Sequence, residues 1–300
     1  MPRLKVGISL STTSHIHNVH ERARMVERLG FDSLWIPDSI SGDGTPSLEA
    51  IVTLATAAAV TTRIQVGTGV LVPSLRSLPW LAAQLGTLQY LSGNRIILGI
   101  GSGGSDATPF TRAIGANIRA RGRKTDAALD LLPQLLAGQP TQLTNEPDQP
   151  ALTLAPAIPI PPILIGGSSE TAMRRAATRG YGWFPSLLPP STLAERATRL
   201  RALASEHGHQ EAPSITVGGS FLPAEDKEAY NAFLHNMISS YGISAEQAAT
   251  LPITGTPEQI AERLASYAEA GADRLVLALS ARNWERQCER LAEALTILDR

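Results

Sequence analysis

The clearest chemistry in this chain lies in Gly166-Gly167-Ser168-Ser169, which closes the apolar run Ile163-Leu164-Ile165 and opens onto Glu170-Thr171-Ala172-Met173-Arg174-Arg175-Ala176. Such a run, glycine pair and serine read as a buried parallel strand turning directly into a helix. Glycine has no β-carbon, so an oxygen-rich ligand can approach the main chain closely. The first N–H groups of the helix lack partners and form the positive end of its dipole. A phosphate can sit there without any lysine. A tight turn with no ligand is the plainer reading of the same glycines. The neighbouring elements tip the balance toward an anion site.

Other chemical groups are few. His15 and His17 fall in the loop after the first strand, where either could pass a proton, or could be an exposed loop residue. His207 and His209 flank a helix end, where a positive ring suits the dipole, so they read as structural. Asp38 ends the second strand and is either a catalytic carboxylate or a pin for its own loop. Trp183 and Phe184 read as barrel packing, and Arg174, Arg175 and Arg179 as a solvated helix face. No histidine stands in a metal-ligand spacing with an acid, and no G-x-S-x-G elbow occurs, so neither a metal site nor a serine hydrolase is expected. Gly99, Gly101 and Gly104 match the dinucleotide spacing, yet Ser105-Asp106-Ala107-Thr108-Pro109 does not open a helix and the motif lies in the fourth unit. It is read as a decoy.

These groups need a frame, and the chain supplies it by repetition. Strands are expected at 4–10, 31–38, 63–72, 95–101, 163–166, 180–185, 214–221 and 273–279. Helices are expected at 18–29, 47–60, 78–91, 121–136, after Ser169, at 192–207 with Ser191 as cap, at 224–241, at 244–250, from Thr256 to Gly271, and at 284–298. Eight strands alternating with helices predict an α/β fold of the (β/α)8 TIM barrel type as one domain over 1–300, with insertions after strand 4, helix 4 and strand 7. The proline-rich stretch from Gly138 to Pro162 is expected to form a short hairpin. In a barrel the strand carboxyl ends share one face, which gathers the loops holding His15, His17, Asp38, Gly69, Ser102 and Gly166.

At 300 residues and 43% hydrophobic, the chain can bury one large core. A formal net charge of -1 gives no case for nucleic acid. Small-molecule partners are expected. Cys288 is the only cysteine, which excludes internal disulfides and suits a reducing cytoplasm. The amino end alternates like a strand rather than a signal peptide, and no run reaches the ~18 apolar residues of a membrane span. The helix at 47–60 is apolar almost all round, which hints at a subunit contact.

Gly30-Phe31-Asp32-Ser33-Leu34-Trp35-Ile36-Pro37-Asp38, the strands at Arg63–Val70 and Leu91–Gly101, Pro162–Ser168, and Gly255–Leu264 running on to Asp273 together resemble the bacterial luciferase-like superfamily, and most of all its branch dependent on the deazaflavin coenzyme F420. The resemblance spans essentially the whole chain. It implies a TIM barrel, usually dimeric, holding F420 or FMN at the carboxyl face. It makes Ile165, Gly166, Gly167 and Ser168 the cradle for the cofactor phosphate, and Gly69 and Val70 a bulge with a non-proline cis peptide against the ring. Asp38, Ser102 and Gly103 match ring or ribityl contacts. The pattern also breaks. Ser39 stands where many members have a proton-transferring histidine, and Gly44 and Gly104 replace the tryptophan and glutamate of the sugar-phosphate dehydrogenases, so their substrate does not transfer.

The resemblance therefore implies an F420-dependent oxidoreductase that moves a hydride between the deazaflavin ring and a small organic substrate, reducing a C=C, C=N or carbonyl bond or running in reverse. His15, His17 and Ser39 are the candidate proton donors. The alternatives are an FMN-dependent monooxygenase and a flavin-binding relative without catalysis.

Overall fold

A computed structural model of the chain describes residues 3–10, 18–104, 107–144, 146, 148–179 and 181–299. The first half alternates strands and helices: β1 (Lys5–Ser9), α1 (Val19–Arg28), β2 (Ser33–Ile36), α2 (Ala50–Ala59), β3 (Gln65–Leu71), α3 (Leu78–Leu91) and β4 (Ile96–Ile100). A loop carrying the short α4 (Pro109–Ala113) leads to α5 (Arg121–Leu136), and the antiparallel pair β5 (Thr141–Gln142) and β6 (Ala151–Leu152) precedes β7 (Ile163–Gly166). There follow α6 (Glu170–Arg179), β8 (Gly182–Phe184), α7 (Pro190–Glu206), β9 (Thr216–Phe221), α8 (Lys227–Tyr241), α9 (Ala245–Ala249), α10 (Pro257–Glu269), β10 (Arg274–Leu279) and α11 (Trp284–Leu298).

The main sheet runs β8-β7-β4-β3-β2-β1-β10-β9. Its end strands meet through the parallel bridges Trp183↔Ile215 and Ser186↔Gly218. This is the closed strand order of a (β/α)8 barrel. The insertions fall where expected: α4 after the fourth strand, the hairpin after the fourth-unit helix, and α8 with α9 after β9.

The chain forms two compact units. One comprises Met1–Leu10, Met25–Ser33 and Gly167–Arg300, and its core holds the fully buried Trp183, Phe221 and Trp284. On it Asp32 accepts from Arg274 Nε at 2.9 Å, and Asp273 accepts from the Ile215 N–H at 2.7 Å. The other comprises Ser11–Arg24 and Leu34–Gly166. Its β2 and β3 pack so tightly that a β-carbon on Gly67 would lie 2.4 Å from the Trp35 ring. Only glycine leaves room there.

Several boundaries depart from the expected ones. Helix α2 begins at Ala50, not Ser47, because the Glu49 carboxylate accepts from the Val52 N–H and caps it. Helix α7 begins at Pro190 after an N-cap at Pro189, so Ser191 is not its cap. Proline lacks only an N–H that the first turn would leave unpaired anyway, and its φ is already helical. After Gly101 a five-residue helix does form, but it begins at Pro109, with Thr108 accepting from the Thr111 N–H. It does not open at the glycines, as a dinucleotide fold requires.

Candidate active site

The ends of β2, β3 and β4 surround a cavity of about 210 Å³ lined by Asp38, Ser39, Ser74, Ser102, Gly103 and Arg121, among others. The structure thus brings together four of the residues selected from the sequence. Gly103 has φ +75°, and a β-carbon there would sit 3.0 Å from a Val72 methyl.

Asp38 is almost fully buried and fully engaged. Its carboxylate accepts from the Val72 N–H at 3.0 Å and from both terminal nitrogens of Arg76, at 2.6 and 2.8 Å. Arg76 also donates to Glu49 at 2.8 Å. Burial alone would lower the Arg76 pKa, but hydrogen bonds and charge from Asp38 and Glu49 outweigh it and raise the value. One guanidinium therefore ties the end of β2, the loop after β3 and the cap of α2 together. Neither Arg76 nor Glu49 was legible as a partner, because each stands far from Asp38 in sequence.

The Gly69–Val70 peptide is cis. The Val70 side chain lies between two strand-end glycines: a β-carbon on Gly101 would be 2.5 Å from one Val70 methyl, and one on Gly166 would be 2.6 Å from the other. Ile165 is buried and pairs with Ile100.

In the other unit, the turn from β7 into α6 is held from behind. The Gly167 N–H donates to Phe184 O at 3.0 Å, and the buried Trp183 indole donates to Gly167 O at 2.9 Å. Gly167 has φ +119°, a conformation that favours glycine. The Ser168 hydroxyl is committed to Ser186, donating to its carbonyl at 2.9 Å, and Arg196 donates to Ser168 O. The helix cap is Ser169, whose hydroxyl accepts from the Ala172 N–H at 3.2 Å. That leaves the N–H groups of Ser168, Ser169, Glu170 and Thr171 without a hydrogen-bond partner among the described residues. Four unpaired donors at the positive end of a ten-residue helix can hold an anion by main chain alone. Trp183, read from sequence as packing, packs and also fixes this turn. Arg196 was missed, since nothing local marks a residue one helix further on.

His15 and His17 lie outside the described residues. His207 and His209 are structural, bonding through their rings to Leu203 O and Thr178 O.

The (β/α)8 barrel is an enzyme fold whose sites lie at the carboxyl ends of its strands. The chain matches the luciferase-like monooxygenase family model over residues 4–274. It belongs to that family and is an oxidoreductase. An uncharacterised protein of Mycobacterium tuberculosis is 33% identical over 208 residues, 62% of this chain and 71% of that protein. An F420-dependent glucose-6-phosphate dehydrogenase of Beutenbergia cavernae is 27% identical, covering 84% of each. Among solved structures, an F420-dependent secondary alcohol dehydrogenase in complex with an F420-acetone adduct superposes with TM-score 0.84 at 17% identity, over 99% of both chains. A Baeyer-Villiger monooxygenase component of Pseudomonas putida in complex with FMN superposes with TM-score 0.75 at 17% identity, covering 98% of this chain and 96% of that one.

Proposed function

We propose that this protein is an F420-dependent oxidoreductase, acting as one catalytic domain over 1–300, that transfers a hydride between the deazaflavin and a small organic substrate with a C=C, C=N or carbonyl bond, in either direction. The observation that carries the reading is the row of unpaired N–H groups from Ser168 to Thr171, which suits the phosphate of such a cofactor. The named F420 enzymes among its relatives support the same choice. When bound, the deazaflavin supplies the hydride chemistry. The chain supplies position. Gly166, Gly167 and Ser168 shape the cradle, Ile165 backs it, and Gly69 and Val70 form the bed for the ring. Ser102 and Gly103 bind the ribityl portion beside Asp38, whose carboxylate Arg76 holds still. Ser39, His15 and His17 are the proton donors to test, Ser39 being the one within the hydroxyl-lined cavity.

A second reading uses FMN and oxygen, and the FMN-bound monooxygenase neighbour favours it. Titrating the purified protein with F420 and with FMN under identical conditions separates the two. Saturable binding of F420 with none of FMN is expected, and the reverse would overturn the proposal. The protein is further proposed to work as a homodimer through α2 and α3. Neither helix carries a charged residue, yet Val52 is 66%, Trp80 72% and Leu91 72% exposed.

A further inference from the structure

Ser74 is a buried hydroxyl with nothing to bond. It sits in the turn Pro73–Leu75 after β3, at 7% exposure, and has no hydrogen-bond partner among the described residues. Burying a hydroxyl without a partner costs stability, so folding alone gives no reason for a serine there. Ser74 lines the cavity of about 210 Å³ at the ends of β2, β3 and β4, and so does Arg121 at the first position of α5. The whole lining belongs to one compact unit, Ser11–Arg24 with Leu34–Gly166.

Arg121 is as hard to explain by folding. A cation at the first position of a helix opposes the dipole, and the N-cap Ala120 offers no side chain to relieve it. The guanidinium makes one hydrogen bond among the described residues, from Nη1 to Ile118 O at 3.1 Å, and no ion pair. Most of its donors stay open.

The charge balance of the cavity then points to an anion. Among the described residues that line it, Asp38 is the only acid, and Arg76 with the Val72 N–H already matches it. Arg121 is the only cation there, so one positive charge is left over. The remaining hydroxyls divide in two. Ser41 donates to Asp43, and Thr111 donates to Thr108 O. Those of Ser39, Ser74 and Ser102 have no partner among the described residues. A guanidinium fork beside open hydroxyls matches the two oxygens and single charge of a carboxylate. The volume is below the ~300–1,000 Å³ of sites for drug-sized ligands, so the acid is small.

We infer that Arg121 and the Ser74 hydroxyl bind a carboxylate of the substrate, which makes the substrate a small organic acid. This rests on the F420 reading and narrows it: the bond that gains or loses the hydride belongs to a carboxylic acid. Arg121 and Ser74 hold that acid and set specificity.

The test saturates the full-length protein with F420 and titrates it with pyruvate, lactate and crotonate and with the corresponding amides, which keep the shape and lose the charge. Calorimetry follows binding to the wild type, Ser74→Ala, Arg121→Gln and Arg121→Lys. The wild type is expected to bind at least one acid about tenfold more tightly than its amide. Arg121→Gln is expected to erase that preference, and Arg121→Lys to keep part of it, since the charge remains while the fork is lost. Ser74→Ala is expected to weaken acid binding severalfold without lowering the melting temperature, because it removes a hydroxyl that folding leaves unbonded. A wild type that treats acids and amides alike would overturn the subsite and leave the F420 reading in place. So would a parallel loss of F420 affinity in Arg121→Gln, which would give the arginine to the cofactor. Failure of the wild type to take up F420 would overturn the cofactor reading alone. The same titration of the unloaded protein then decides the subsite: a preference for acid over amide keeps it, and none overturns it.

Discussion

Asp38 carries most of the residue-scale argument. Its carboxylate, 3% exposed at the side chain, is matched by a bidentate arginine and one main-chain donor. Removing the arginine would strand a buried charge, so Arg76→Gln should cost about 3 kcal/mol in urea unfolding at pH 7. Adding Asp38→Asn to that variant should recover part of the loss, and no recovery would argue against this origin. Nearby, Asp43 accepts from the Ser41 hydroxyl, and next from the Thr45 N–H, which lowers its pKa from 3.8 to about 2. A depressed carboxylate pKa stabilises the folded loop above pH 3.8 and ceases to do so as pH falls through 2. Carbon-detected NMR should find the midpoint near 2, and Ser41→Ala should move it toward 3.8. At the cradle, Thr171→Glu places a carboxylate in the first turn of α6, where the dipole favours it by about 0.3–1 kcal/mol. Thermal stability should hold or rise while cofactor affinity falls at least tenfold; unchanged affinity would count against the cradle.

At the scale of elements, local signals were legible and distant ones were not. Helices α3, α5 and α11 span the residues their periodicity marks, because each is bounded within one turn by its own chain. The start of α10 was equally plain: Thr256 accepts from the Gln259 N–H while the Gln259 side chain accepts from the Thr256 N–H. Thr256→Ala should cost about 1 kcal/mol in chemical denaturation. The start of α2 was misread because Glu49 caps it inside the expected span, and that of α7 because a proline stands where Ser191 was expected to cap. Around the candidate site, Asp38 was picked out by its place at a strand end and Ser39, Ser102 and Gly103 through the family resemblance, and they line one cavity. Their partners were not visible, since the bond from Arg76 to Asp38 spans 38 residues and no periodicity reaches that far.

At the scale of the molecule, the strand order and the uncharged pair α2 and α3 set what can be tested. Among the described residues no helix is long and apolar enough to cross a membrane. The exposed Val52, Trp80 and Leu91 are where the proposed dimer can be tested. Light scattering should give the mass of a dimer for the wild type and of a monomer for Val52→Asp; a monomeric wild type would remove α2 and α3 as the interface. The main-chain donors at 168–171 carry a different consequence. Every amino acid except proline brings the same N–H, so alanine scanning of this corner would report the Ser168 and Ser169 hydroxyls and miss these donors. Evolution could drift there in side-chain chemistry at little cost to grip. Exchanging single amides for esters by chemical synthesis would make each donor's share of that grip measurable.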